Sequence, residues 1–279
     1  MLGLAPARLP NRTPTDGPGV HAPPGPRKGR VALLSGCAQS VLAPGINDAA
    51  IRLVTRHGYE VIVPRNEGCC GALVHHMGRE HESHEQARRM IDLWTAEIAN
   101  GGLDAILITA SGCGTTIKDY GFMFRDDPAY ADKAARVAAL AMDITEFAAK
   151  LDLSVRPGPG LTVAYHSACS MQHGQKITDL PKTLLRQAGF TVKDVPEGHI
   201  CCGSAGTYNM LQPEISGSLR ARKVTNIERT GAPVIATGNL GCMTQIAKGF
   251  EERGETRAIV HTVELLDWAT GGPKPEGLG

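Results

Sequence analysis

Eight cysteines constrain this chain more than any other feature, because all eight fall into one pattern that occurs twice. Cys37 is followed by the adjacent pair Cys69 and Cys70 and then by Cys113, and the arrangement returns as Cys169, Cys201 with Cys202, and Cys242. The first three positions recur at an offset of 132 residues and the last at 129. The stretch 143–147 (Asp-Ile-Thr-Glu-Phe) likewise matches 261–265 (His-Thr-Val-Glu-Leu) at an offset of 118. Self-similarity of this kind is the mark of a duplicated structural unit. The 279 residues suit two domains at roughly 100 to 200 residues each.

Each half alternates short apolar runs with amphipathic stretches. Strands are predicted over 31–34, 59–63 and 104–109, with helices around 72–77 and 80–99 and a first helix N-capped by Asn47 or Asp48 and stopped at Gly58. The second half repeats the order, with strands over 161–165, 190–194 and 233–237. Its helices run from Asp179-Leu-Pro181 to Gly189 and over 204–211 and 214–229. The expected fold class is therefore α/β, with two pseudo-symmetric repeats, each a parallel sheet flanked by helices. Seven prolines and five glycines make 1–30 an expected disordered arm. The first cysteine-rich domain should cover 31–151, a Pro/Gly linker 152–160, the second domain 161–270 and a disordered tail 271–279.

Composition narrows the function. A hydrophobic share of 42% and a charged share of 20% are those of a globular chain with a sizeable core. Its net charge of +1, from 29 basic and 28 acidic side chains, provides no field that would attract nucleic acid. No run of about 18 apolar residues is present and no secretory leader is evident, so the expected location is the cytoplasm, including the inner face of the cell membrane as a peripheral site. In that reducing compartment eight cysteines point to metal ligands or redox groups rather than structural disulfides.

Every cysteine lies just after a predicted strand, so three loops at the carboxyl edge of each sheet can bring four thiols together. Helix N-termini at that edge lower thiol pKa values, and nearby glycines at 36, 68, 71, 112, 114, 203 and 241 let backbone N–H groups reach sulfur. Four thiolates suit a [4Fe-4S] cluster or a tetrahedral zinc ion, and a vicinal pair suits thiol–disulfide chemistry. Structural zinc sites usually draw on close pairs such as CxxC. Adjacent cysteines with partners about 32 residues before and 40 after fit a larger cluster better. The candidate cofactor and metal ligands are thus Cys37, Cys69, Cys70 and Cys113, and Cys169, Cys201, Cys202 and Cys242, for one or two [4Fe-4S] clusters, with zinc as an alternative in one site. No catalytic acid or base is expected.

The repeated Cys-Cys-Gly motifs at 69–71 and 201–203, with Ser111-Gly-Cys-Gly114, 118–121 and Gly238-Asn-Leu-Gly-Cys242, resemble the tandem cysteine-rich CCG domains of glycolate oxidase iron–sulfur subunits. Lactate utilisation iron–sulfur subunits and the B subunit of heterodisulfide reductase share the pattern. The resemblance covers about residues 31–270. It implies electron transfer from a flavin-containing dehydrogenase subunit, which oxidises glycolate to glyoxylate, toward the respiratory chain, with quinone as a possible acceptor. The isolated chain would then not turn over substrate. Such subunits usually carry an amino-terminal ferredoxin module with CxxCxxCxxxCP runs. This sequence has none, so that module is expected on a separate ferredoxin-like protein or lost from a shortened product. Heterodisulfide reductase domains end in CxxC, whereas Ala110 and Asn239 stand three residues before the last cysteine here, which weakens the disulfide-reducing alternative.

His166 and His173 flank Cys169, and His199 precedes Cys201 by two. Such residues hydrogen-bond clusters, ligate metals or carry protons, but their commoner role is in the core or on a wet surface. His75, His76, His81 and His84 read as a solvated helix face rather than a metal site. Glu146 and Glu264 sit at matching places and read as caps. No GxGxxG after a strand, GxxxxGK[ST] or GxSxG is present, so any flavin belongs to a partner.

Overall fold

The computed structural model describes residues 9–11, 13, 15, 17–153 and 160–278. The chain divides into two compact units, Pro10–Asp152 and Leu153–Gly279. In the first unit the order is β1 (Gly19–His21), β2 (Gly29–Leu33), α1 (Gln39–Leu42), α2 (Gly45–Arg56), β3 (Tyr59–Val63), α3 (Ala72–His76), α4 (Glu80–Ala99) and β4 (Ala105–Ile108). It continues with α5 (Ser111–Lys118), α6 (Tyr120–Met123), α7 (Ala131–Leu140), β5 (Ala141–Asp143) and α8 (Ile144–Ala148). The second unit has β6 (Thr162–Tyr165), a π-helical turn at Ser170–Gly174, α9 (Leu180–Gln187), β7 (Thr191–Asp194), α10 (Tyr208–Leu211) and α11 (Pro213–Glu228). It closes with β8 (Val234–Thr237), α12 (Leu240–Glu251), β9 (Ala258–His261), α13 (Thr262–Ala269) and a 3-10 turn at Glu276–Leu278.

Strand order places the cysteines. The first sheet runs β1-β3-β2-β4-β5 and the second β7-β6-β8-β9. All pairs are parallel except β1 with β3. In each unit the earliest strand of the parallel set, β2 or β6, lies between the next two, so the chain winds off in opposite directions from it. At such a switch point the following loops diverge and open a crevice at the strands' carboxyl ends. The loops after β2, β3 and β4 carry Cys37, Cys69 with Cys70, and Cys113. Those after β6, β7 and β8 carry the second four.

The core of the first unit forms where α4 lays one stripe on the sheet: Ser83, Ala87, Met90, Ile91, Trp94 and Ile98 are buried at helical spacing. Trp94 is fully buried among Ile106, Ile108, Phe124 and Val137, and each such large side chain contributes about 1.5–3 kcal/mol. Trp94→Ala would leave a cavity costing about 3–5 kcal/mol. In the second unit Val224, Ile227, Ile235, Ile246 and Phe250 form the corresponding cluster.

Several expectations are corrected. Residues 19–21 of the supposed arm pair antiparallel with β3, Gly19 opposite Val63, and β2 begins at Gly29. Alternating exposure around Val20 hides this edge strand from periodicity. The tail forms a 3-10 turn instead of being wholly disordered. Each sheet has a fourth parallel strand, β5 or β9, that the sequence reading lacks. Neither Asn47 nor Asp48 caps α2, which starts at Gly45. Asn47 instead donates to the Ser35 carbonyl at 2.8 Å and accepts from Gln39 Nε2 at 2.7 Å, tying the first cysteine loop to the helix. The predicted helix over 204–211 is turns followed by the short α10. Most of the expected linker, 154–159, lies outside the described residues, as do 1–8 of the arm.

Candidate metal centres

The structure brings all four predicted cysteines of each unit into one chain of sulfur contacts. In the second unit the Cys169 thiol donates to Cys201 at 3.8 Å and Cys202 to Cys242 at 3.5 Å. The adjacent pair links the two contacts through a Cys202–Cys201 hydrogen bond. The first unit repeats the run, with Cys37 donating to Cys69 and Cys70 donating to Cys69 and Cys113. None of the eight is in a disulfide.

Local backbone conformation produces this convergence. Gly71 and Gly203 stand directly after the pairs in the left-handed region, at φ +88° and +93°. This conformation costs an L side chain energy. A Cβ at Gly71 would also come within 2.8 Å of the Ser83 carbonyl oxygen, and one at Gly203 would collide with that of Ser216. The turn aims N–H groups at sulfur: Gly203 N donates to Cys201 at 3.3 Å, and Gly71 and Leu73 do the same for Cys69. Tyr120, fully buried, donates to the Cys70 carbonyl at 2.7 Å, while Ser216 donates to that of Gly203 at 2.8 Å. Cys113 and Cys242 sit in the first turns of α5 and α12. There the helix dipole favours an anion.

These donors decide which sulfurs are anionic. Hydrogen bonds from Cys37 and Cys70, joined by the backbone N–H groups, hold Cys69 down to about 2, and Cys169 and Cys202 do so for Cys201. Donating to Cys69 and losing solvent raises Cys37; Cys70 is raised by its bonds to Cys113 and Cys69 and by burial. Cys169 and Cys202 follow the same pattern. A soft, fully sulfur donor set with no disulfide fits a thiolate-bound iron–sulfur or zinc centre.

The neighbouring side chains divide between the site, the caps and the helix surface. His166, at 1% exposure, is the histidine that meets the cysteines: its donor atom and the sulfurs of Cys202 and Cys242 all lie within 4.8 Å of one another. His173 instead contacts the His199 carbonyl at 3.1 Å. His81 and His84 pair with Glu85 and Glu80 of their own helix at 3.8 and 3.9 Å and do not share a site. Glu146 and Glu264 are caps, accepting from the Asp143 and His261 backbones at 2.8 and 2.7 Å. Three further groups have roles that the sequence reading does not assign. Glu67 accepts from Ser35 N at 2.8 Å and from its hydroxyl, and burial pushes it up to about 7. Lys223 and Asn239 lie beside the second set. A partner 32 residues away, or a lysine inside a helix whose neighbours read as solvated, gives no signal at sequence level.

Comparison with known proteins agrees with this geometry. The family model of the cysteine-rich CCG domain matches twice, over 31–118 and 163–247. The glycolate oxidase iron–sulfur subunit of Escherichia coli is 39% identical over 94% of this chain and 63% of its own length. A probable glycolate oxidase iron–sulfur subunit of Bacillus subtilis is 30% identical over 88% of this chain and 56% of its own length, so the chain spans about six-tenths of these two relatives. Lactate utilization protein A of Bacillus licheniformis is 30% identical over 85% of this chain and 99% of its own length. In fold, a hypothetical protein from Helicobacter pylori matches 96% of the chain and 53% of its own length at a TM-score of 0.65 and 11% identity. With two matched domains, each placing its four cysteines at a sheet's switch point, the chain belongs to the family of cysteine-rich CCG domain proteins.

Proposed function

We propose that this chain is the electron-transfer iron–sulfur subunit of a 2-hydroxy acid dehydrogenase of the glycolate oxidase type. It would take electrons from a flavin-containing subunit that oxidises glycolate to glyoxylate and pass them toward the respiratory chain. One observation carries the reading: eight thiols, grouped as two sets of four at equivalent switch points. The names of the relatives support the hydroxy acid.

Bound at each set, a [4Fe-4S] cluster would supply one-electron chemistry. The chain's own residues do the rest. Cys37, Cys69, Cys70 and Cys113, and Cys169, Cys201, Cys202 and Cys242, are the ligands of the reading. Gly71, Leu73 and Gly203 donate N–H bonds to the sulfurs, which spread charge and raise the potential. Tyr120 and Ser216 fix the turns that carry the adjacent pairs. Among the described residues no helix is long and apolar enough to cross a membrane, which accords with docking on other subunits or a membrane surface.

A second reading, zinc in one site, has its own support. The sulfur separations of 3.8 and 3.5 Å are close to the edge of a tetrahedron built on Zn–S bonds of about 2.3 Å. The deciding experiment mixes the anaerobically reconstituted chain with a glycolate-oxidising flavoprotein subunit and adds glycolate. Bleaching of the broad visible absorbance only when both proteins are present supports the proposal. A colourless zinc protein, or turnover of a disulfide without the flavoprotein, overturns it.

A further inference from the structure

The two centres sit in equivalent backbone frames but differ in one buried side chain. Leu34 N donates to the Leu107 carbonyl at 3.0 Å as the chain leaves β2, and His166 N donates to the Ala236 carbonyl at 2.9 Å as it leaves β6. The two residues are related by the same 132-residue offset as the cysteines. Leu34, 2% exposed, belongs to the apolar core of its unit, whereas His166 puts an imidazole in that place at 1% exposure.

A buried polar group without a partner is destabilising, so it is normally matched by a ligand or a donor. By donor–acceptor geometry neither ring nitrogen of His166 is paired with another described residue, although the imidazole is close enough to help Cys202 hold the Cys242 thiol down. Its donor atom stands within 4.8 Å of the Cys202 and Cys242 sulfurs without meeting hydrogen-bond geometry. Such spacing leaves room for an ion bonded to all three, since metal–sulfur and metal–nitrogen bonds are about 2.3 and 2.0–2.1 Å for zinc.

We propose that His166 is a fifth donor of the second centre, its imidazole giving one nitrogen lone pair to the metal that would be held there, while the first centre is held by cysteine alone. The inference rests on the reading of Cys202 and Cys242 as metal ligands. It makes the two centres chemically distinct within one chain: an imidazole in place of an apolar contact changes the charge and softness of the donor set.

The test compares the full chain with His166→Leu, the residue of the first unit, and with His166→Gln, which keeps a polar group should leucine disturb folding. Each is loaded anaerobically with iron and sulfide and analysed for metal content and by pulsed electron paramagnetic resonance with ¹⁵N-histidine labelling. The expected result is a nitrogen coupling that changes with the label in the wild type and is lost in both variants. An iron signal without any histidine coupling, or a coupling that survives both substitutions, overturns the inference alone. Cobalt(II) loading reads the same ligand if the centre holds a single ion: a visible spectrum altered by His166→Leu supports histidine ligation, and identical spectra oppose it. A wild-type chain that takes up no metal at the second set defeats both this inference and the reading beneath it.

Discussion

Helices α4 and α11 occupy the same place in their units, with Ser83 and Ser216 meeting Gly71 and Gly203, yet they bury different chemistry. Counting from those serines, Met90 of α4 corresponds to Lys223 of α11. Met90 accepts from Gly68 N through its sulfur at 3.2 Å, and Lys223, 1% exposed, donates to the Glu197 carbonyl at 3.1 Å. Burial lowers the Lys223 pKa, while the thiols of Cys202, Cys201 and Cys242 act to keep it charged. Together with His166 for Leu34 and Asn239 for Ala110, this puts three polar side chains in the second unit at places where the first has apolar ones. The sulfur ligands repeat, and the groups around them do not.

The largest test of the contrast removes one ligand at a time. Cys70→Ser and Cys202→Ser should each abolish one centre and leave the other, halving the iron content and removing a different resonance signal in each case. Loss of both centres from either single change would show that they do not load independently. Next come the turn glycines. Gly71→Ala and Gly203→Ala should lower stability by about 2–4 kcal/mol in urea titrations through φ strain and carbonyl collision, with the greater loss at Gly203.

The capping boxes give a third comparison. Asp143 caps α8 through a bond from Thr145 N at 2.9 Å, and His261 caps α13 through one from Val263 N at 3.1 Å. Burial pushes Asp143 up to about 6 from 3.8. Below pH 3.8 both folded and unfolded states hold that proton. Between pH 3.8 and about 6 the unfolded state loses it first, so stability falls by about 3 kcal/mol as pH rises. Asp143→Asn keeps the acceptor and should flatten that slope in pH-dependent unfolding. The smallest effect is at the last cysteine. Asn239 accepts from Gly241 N at 2.8 Å and caps α12, whereas Ala110 provides no side-chain cap to α5. Asn239→Ala should cost about 1 kcal/mol, and Ala110→Asn should recover part of that amount in the first unit.

Which thiols meet was legible in the sequence because an exhaustive, duplicated spacing leaves few other solutions once each cysteine follows a strand. Strand 59–63 and helix 80–99 were legible for the same reason: β-branched density in one, and a stripe ending in Trp94 and Ile98 in the other. Strand β1 was not, since Val20 is 65% exposed and the segment is set by pairing with β3 rather than by its own pattern. His166 was visible only as one of three histidines near cysteine. Burial beside the Cys202 and Cys242 sulfurs, a tertiary property, separates it from His173 and His199. Lys223 lies in a run of basic residues that reads as a wet face, and only the fold turns it inward.

The central claim is that both thiol sets close around iron. Iron and acid-labile sulfide determined together on the anaerobically purified full chain test it most directly. The account expects iron and sulfide in equal amounts, about four of each per set and eight per chain. Zinc in both sets with no sulfide, or iron that stays unchanged after Cys70→Ser and Cys202→Ser, would contradict it.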